Sequence, residues 1–195
     1  MPQETIKFRI KQDGTVEETV EGCTGPSCQS LTKNIEEKLG DVVIRKETAD
    51  MYRSVVEHDH VSSLSGTIMS HFTLIKTKIK DRDVLEEALF LMGHEVKLDQ
   101  ELKNPHDHKH PTVNVEVAVG TDIGFKWNEV TQSYELVTDL QTWDQPIPVE
   151  RFLQKLSQQY SRMALHKVVK EEGFEVQEEW EMDDNSIELT VTRWV

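Results

Sequence analysis

The two cysteines, Cys23 and Cys28, are close enough in sequence to support thiol chemistry. Cys28 follows a Gly-Pro-Ser sequence at the predicted start of a helix. The helix dipole at such a position can lower the pKa of a thiol and yield a reactive thiolate. Cys23 lies five residues earlier and could form a reversible disulfide with Cys28. Cys28 also falls on the apolar stripe of the predicted helix, so we favour a packing role for its side chain. Thiol-redox chemistry and metal binding are the alternatives.

Histidines form a second candidate site, in a run where they alternate with other residues. The run contains His106, His108 and His110 beside Asp107, and His58 and His60 form a smaller pair. Imidazoles two positions apart on a strand could bind a divalent metal ion. Prolines flank the longer run and favour a solvated loop instead, and a pH-sensitive contact is a third alternative. A divalent metal is the one cofactor that the sequence suggests.

Acidic residues and tryptophans form a third candidate, an interaction surface. The stretch 171–188 holds nine acidic residues and no basic one. Such charge can protect an exposed hairpin from aggregation, or it can form a docking face for a basic partner. Tryptophans are side chains that commonly anchor protein interfaces. The predicted surface consists of Glu178, Glu179, Trp180, Glu181, Asp183, Asp184 and Trp194.

Asp122 and Asp139 lie near the ends of predicted strands. Paired carboxylates can serve as acid and base, but a role in a turn is favoured for both residues. The chain contains no phosphate-binding loop, no dinucleotide fingerprint, no nucleophile elbow and no His-Glu-x-x-His motif. The sequence therefore predicts no catalytic residue and favours a binding protein over an enzyme.

The composition indicates a folded, acidic protein. Hydrophobic residues make up 36% of the 195 residues, and the formal net charge is −14. This charge disfavours nucleic acid as the main partner, because phosphates are repelled. The few cysteines suggest a reducing compartment, and no apolar run is long enough to span a membrane. We therefore expect a cytoplasmic protein without a membrane span.

The elements that must position these residues form two predicted domains of an α+β fold. Residues 1–53 predict a small ββαβ domain, built from a hairpin around Asp13-Gly14, a short helix and a third strand at 42–44. Residues 54–68 predict a linker. Residues 69–195 read β-α-β-β-β-α-β-β, which predicts a largely antiparallel sheet with two packed helices and a polar loop at about 98–111.

A family resemblance follows from motifs along the chain. Residues 69–195 resemble the hypothetical chloroplast reading frame thirty-five family, a family of unknown function. The motifs are the segment from Met69 to Asp81, Asp122 to Phe125, Tyr134 to Asp139, Phe152-Leu153, Gln159-Tyr160, Gly173-Phe174 and Arg193-Trp194. Residues 1–53 resemble a second small family of unknown function that is often paired with it, through Gly25 to Cys28, Leu31-Thr32 and Leu39 to Val42.

The resemblance implies no catalytic residue and no defined cofactor. It implies a plastid-type or photosynthetic-bacterial family, a fusion of two parts that act together, and a protein partner such as an ATPase of the AAA type. A homo-oligomer is a further expectation. We therefore predict a non-catalytic accessory or adaptor protein. The alternative is a thiol-redox or metal-linked protein centred on Cys28 with Cys23, or on the loop of His106, His108 and His110.

Overall fold

The computed structural model describes residues 3–21, 27–39, 68–69, 72–103 and 112–194. These residues form ten strands and three helices, and each strand pairing among them is antiparallel. The predicted α+β class is confirmed. The elements in chain order are β1 (Gln3–Ile10), β2 (Val16–Glu21), α1 (Ser27–Leu39), β3 (Ile68–Met69), β4 (Phe72–Lys76), α2 (Arg82–Leu91), β5 (Val96–Lys103), β6 (Thr112–Val119), β7 (Ile123–Asn128), β8 (Ser133–Thr138), α3 (Val149–Glu171), β9 (Glu175–Glu181) and β10 (Ile187–Trp194).

Sheet A joins the first and the last strands of this series, in the order β2-β1-β10-β9. Ile6 pairs with Val191 and Phe8 pairs with Leu189. These side chains are buried with Ile35 of α1 and with Leu165, Val168 and Val169 of α3. Because side chains alternate along a strand, one face of sheet A packs on helices and the other carries the polar residues of β1 and β10.

Sheet B has the strand order β3-β4-β8-β7-β6-β5. One of its faces packs on α2 and on the first half of α3. The buried side chains there include Phe125 and Leu136 from the strands, Leu85 and Leu89 from α2, and Phe152 and Leu156 from α3.

A second apolar cluster covers the opposite face of sheet B. Ala118 and Val137 lie on this face, since both pair with Gly124. Leu102 Cδ1 and Val115 Cγ1 lie 2.7 Å from the point that a Cβ on Gly124 would occupy. The far half of the β5–β6 hairpin therefore folds across the sheet, and the missing side chain of Gly124 permits this close approach.

Helix α3 is common to both sheets. Its first half packs in the core of sheet B and its second half packs in the core of sheet A. Between the two halves, the Tyr160 hydroxyl accepts hydrogen bonds from the backbone N–H groups of Lys80 and Asp81, at 3.1 and 2.9 Å. Lys167 Nζ lies 2.7 Å from the Asp81 carboxylate. These contacts fix the start of α2, where Asp81 is the N-cap.

Both hairpin turns of sheet A also contact α3. Gly14 in the β1–β2 turn has a φ of +84°, and a Cβ there would lie 2.7 Å from the carbonyl oxygen of Ser157. Ser161 Oγ donates a hydrogen bond to the Gly14 carbonyl at 2.7 Å. In the β9–β10 turn, the Asn185 carbonyl accepts a hydrogen bond from Gln158 Nε2 at 2.7 Å. The N-terminal hairpin is thus held by the C-terminal helix as well as by β10.

Three details differ from the sequence predictions or lie beyond them. The polar loop predicted at 98–111 is wrong for its first part, where β5 forms the exposed edge of sheet B. The final hairpin does not extend sheet B, because β10 pairs with β1. The strand predicted at 42–44 and most of the predicted linker at 54–68 lie outside the described residues, so the domain boundaries stay a prediction.

Candidate functional site

The predicted interaction surface maps to the last hairpin, β9–β10. Trp180 pairs with Glu188, and Glu188 alternates with the buried Ile187 and Leu189. Trp180 therefore lies on the face of sheet A that points away from α1 and α3, and the same alternation puts Trp194 on that face. Their exposed fractions are 63% and 64%.

Glu179 lies on the other face of β9, where it contacts α3. Its carboxylate forms an ion pair with Arg162 and lies 2.9 Å from His166 Nε2. Glu179 is thus separated from Glu178, which pairs with Thr190 on the face of sheet A that points away from α1 and α3, hereafter the open face. Because side chains alternate along β9, Glu179 lies against α3 and contributes to the packing of the fold, whereas Glu178 points outward.

Asp184 connects the two hairpins of sheet A. Its carboxylate accepts hydrogen bonds from the Ser186 backbone N–H and hydroxyl, and it forms an ion pair with Arg9 at 2.6 Å. The Ser186 hydrogen bonds and then Arg9 lower the pKa of Asp184 from 3.8 to about 2. Asp183 and Glu181 of the predicted surface are exposed beside it.

Asp122 and Asp139 lie at one end of sheet B, on either side of the paired residues Ile123 and Thr138. Burial raises the pKa of Asp122, and the charge of Asp144 raises it further, against hydrogen bonds from backbone N–H groups that lower it. The buried Asp139 carboxylate accepts a hydrogen bond from the Gln141 backbone N–H at 2.9 Å. This contact agrees with the predicted turn role of Asp139.

The cysteine and histidine sites fall outside what the structure describes. This applies to Cys23 and to His106, His108 and His110, while Cys28 lies in α1 with its side chain outside the described part. The thiol and metal hypotheses stay predictions. Among the described side chains, no group of three or more His, Cys, Asp or Glu residues could hold a metal ion.

A groove between α2 and the start of β5 was not predicted from the sequence. Phe90 and Leu91, at the end of α2, are 72% and 53% exposed. They belong to the apolar run Ala88 to Met92, in which Ala88 and Leu89 are buried. The helical period could have indicated that Phe90 is exposed. Phe90 lies off the buried stripe of α2, which is formed by Val84, Leu85, Ala88 and Leu89.

Within the helices that the structure describes, none has both the length and the apolar character that a membrane crossing requires.

Comparisons with known proteins agree with the family resemblance. A family model described as "Protein of unknown function (DUF1257)" matches residues 88–190, and one described as "Protein of unknown function (DUF2997)" matches residues 6–52. A relative from Pyropia yezoensis, "Uncharacterized protein ycf35", is 38% identical over 131 residues, which cover 65% of this chain and 98% of the relative. The protein of the same name from Guillardia theta is 36% identical over 128 residues, with the same two coverages.

A third relative with this name, from Cyanophora paradoxa, is 37% identical over 131 residues and is also covered to 98%, over 65% of this chain. No solved structure matches the chain. The first family model spans more than half of the chain, and the relatives are matched over nearly their whole length. The chain therefore belongs to the ycf35 family of proteins of unknown function (DUF1257), with a segment that matches DUF2997 before it.

Proposed function

We propose that this protein is a non-catalytic accessory or adaptor protein that acts in a cytoplasmic assembly through protein–protein contacts. The observation that supports this most is the open face of sheet A. Trp180 and Trp194 are both largely exposed there, and none of the three described helices packs on that face. As far as the described residues show, this face is open to a partner.

The side chains on this face have the composition of an interface. Tryptophan combines a large apolar area with few rotatable bonds, and its removal from an interface often costs about 2 kcal/mol or more of binding free energy. Between the two tryptophans lie Lys7 of β1 and Thr190 of β10, which pair with each other, and Glu178 of β9. A polar surround of mixed charge selects a partner by electrostatic complementarity.

The contacts of three acidic residues also favour a binding role. Glu179 is paired with Arg162, Asp184 with Arg9, and Asp139 accepts a backbone hydrogen bond in a turn. Each of these contacts stabilises a turn or joins two elements of the fold. Acid–base catalysis needs a group whose proton can be exchanged with a substrate, and these contacts serve the fold instead.

Site-specific photo-crosslinking of the full chain tests the proposal. A photoreactive residue replaces Thr190, which lies on the open face, or Val130, which is exposed in the turn between β7 and β8. We expect a discrete heterologous crosslink from position 190 and not from position 130, and we expect Trp180→Ala with Trp194→Ala to abolish it. An ATPase of the AAA type, which the resemblance implies, is the first purified partner to mix with the chain. Equal crosslinking from both positions, or crosslinking that survives the double substitution, would contradict the proposal.

A further inference from the structure

The groove beside Phe90 combines an exposed aromatic side chain with a negative lining. It runs between the outward side of α2 and the first residue of β5, with an open volume of about 840 Å³. Four carboxylates and one histidine line it, and neither lysine nor arginine does. The lining residues are Asp83, Glu86, Glu87, Phe90, Gly93, His94, Glu95 and Val96.

Neighbouring cations offset this charge only in part. Arg82 pairs with Glu86 at 3.1 Å, but its guanidinium also pairs with Asp99. Lys97 Nζ lies 3.8 Å from the Glu95 carboxylate, and both side chains are mostly exposed, so this pair contributes little. Asp83 and Glu87 add to the remaining excess of negative charge around Phe90.

The acids near the carbonyl end of α2 work against the stability of this helix. Acidic side chains stabilise the first turn of a helix and destabilise the last one, because the carbonyl end of the helix is negative. Asp83 lies in the first turn, but the last turn of α2 has no basic residue. Glu87 and Glu95 lie near this carbonyl end. A positively charged occupant would complement both the carboxylates and the end of the helix.

The adjacent edge of sheet B limits the way in which an occupant can bind. Asp99 in β5 has a φ of +50°, a left-handed conformation that interrupts the regular edge, and charged residues lie on both sides of it. Such an edge resists the addition of another strand. The contact surface is therefore the side of α2 that carries Phe90, and not the backbone of β5.

We infer that this groove is a docking site for a short, positively charged segment of a partner protein. An apolar side chain of the segment packs on Phe90, and flanking lysine or arginine side chains meet Glu87 and Glu95. This surface is separate from the open face of sheet A. The inference and the proposed function can therefore fail independently.

Titration with designed peptides tests the inference. The probe is a fluorescent amphipathic peptide in which lysines flank leucines, and the comparison peptide has glutamate in place of each lysine. We expect the lysine peptide alone to bind, with amide chemical-shift changes confined to residues around α2 and the start of β5. Phe90→Ala should weaken binding about tenfold or more, and added salt should weaken it further. Since Phe90 is largely exposed, the variant keeps the fold, which circular dichroism verifies.

Matched variants separate the groove from the general acidity of the chain. Glu87→Lys should weaken binding strongly, whereas Glu129→Lys makes the same charge change in the β7–β8 turn and should leave it nearly unchanged. Trp180→Ala should also have no effect. Equal affinities for Phe90→Ala and the unaltered chain, or shift changes spread over the whole surface, would overturn the inference. So would a self-association that Phe90→Ala abolishes, because the occupant would then be a second copy of this chain.

Discussion

Sheet B is covered on both faces, whereas sheet A packs on helices through one face. In sheet B, each residue of β8 is buried, because α2 and α3 lie on one side and the β5–β6 hairpin on the other. In sheet A, buried and accessible residues alternate along β1. The residues of sheet B are therefore constrained by packing, whereas Phe90 on α2 and the two tryptophans on the open face of sheet A are among the exposed side chains of the described residues.

The shared helix α3 provides the largest test of this comparison. Leu156 is buried in the core of sheet B and Leu165 in the core of sheet A. We expect Leu156→Ala and Leu165→Ala each to lower the free energy of unfolding by about 2–5 kcal/mol, because each leaves a cavity. Since one helix stabilises both cores, urea unfolding followed by tryptophan fluorescence should remain a single transition. Val130→Ala, at an exposed site, is the control, and two separate transitions would show that the sheets unfold independently.

Gly124→Ala tests the covering of the second face of sheet B. The added methyl group would lie within 2.8 Å of Val115 side-chain atoms and 2.7 Å of Leu102 Cδ1. We expect a loss of about 1–3 kcal/mol in the free energy of unfolding, because overpacking displaces the hairpin. Val115→Ala in the same chain should recover part of this loss, a coupling that a double-mutant cycle measures. Additive losses would place the hairpin away from Gly124.

The link between the two hairpins of sheet A should depend on pH. The pKa of Asp184 is lowered in the folded state from 3.8 to about 2. The stabilisation is therefore complete above the ordinary pKa and is lost as the pH falls through the lowered value. We expect the free energy of unfolding to fall less steeply between about pH 5 and pH 2 in Asp184→Asn than in the unaltered chain. Asp183→Asn removes the same charge from the same turn and is the control; an equal change in slope for both variants would contradict the prediction.

Local sequence patterns were sufficient to predict most of the individual strands and helices. The alternation of Ile6, Phe8 and Ile10 predicts a strand, which is β1. The sequence offers Asp81 or Asp83 as the cap of a helix, and Asp81 is the N-cap of α2. The apolar stripe that follows Pro146 and Pro148 predicts a long helix at about 148–171, and the structure has α3 at Val149–Glu171. These features depend on neighbours within one or two turns of the chain, which a single sequence displays directly.

The remaining features depend on contacts between distant residues. The pairing of β1 with β10 is not encoded in the period of either strand. Strand β5 has few apolar residues because it is an exposed edge, so its sequence reads as a loop. Phe90 lies in a continuous apolar run, and its exposure follows from how α2 is turned against sheet B. The exposed tryptophans could be proposed from their type, but their common face required the register of β9 and β10.

The pairing of β1 with β10 also affects how the chain can be made. Arg9 of β1 and Ser186 beside β10 are hydrogen-bonded, although 177 residues separate them. At about 5–20 residues per second, a ribosome needs roughly ten to forty seconds to synthesise that interval. Throughout that time the N-terminal hairpin lacks the part of its apolar cover that α3 provides, and one edge of β1 lacks β10. Sheet A is thus a late step of folding, and the nascent hairpin is a species that the cell must keep from pairing with other chains.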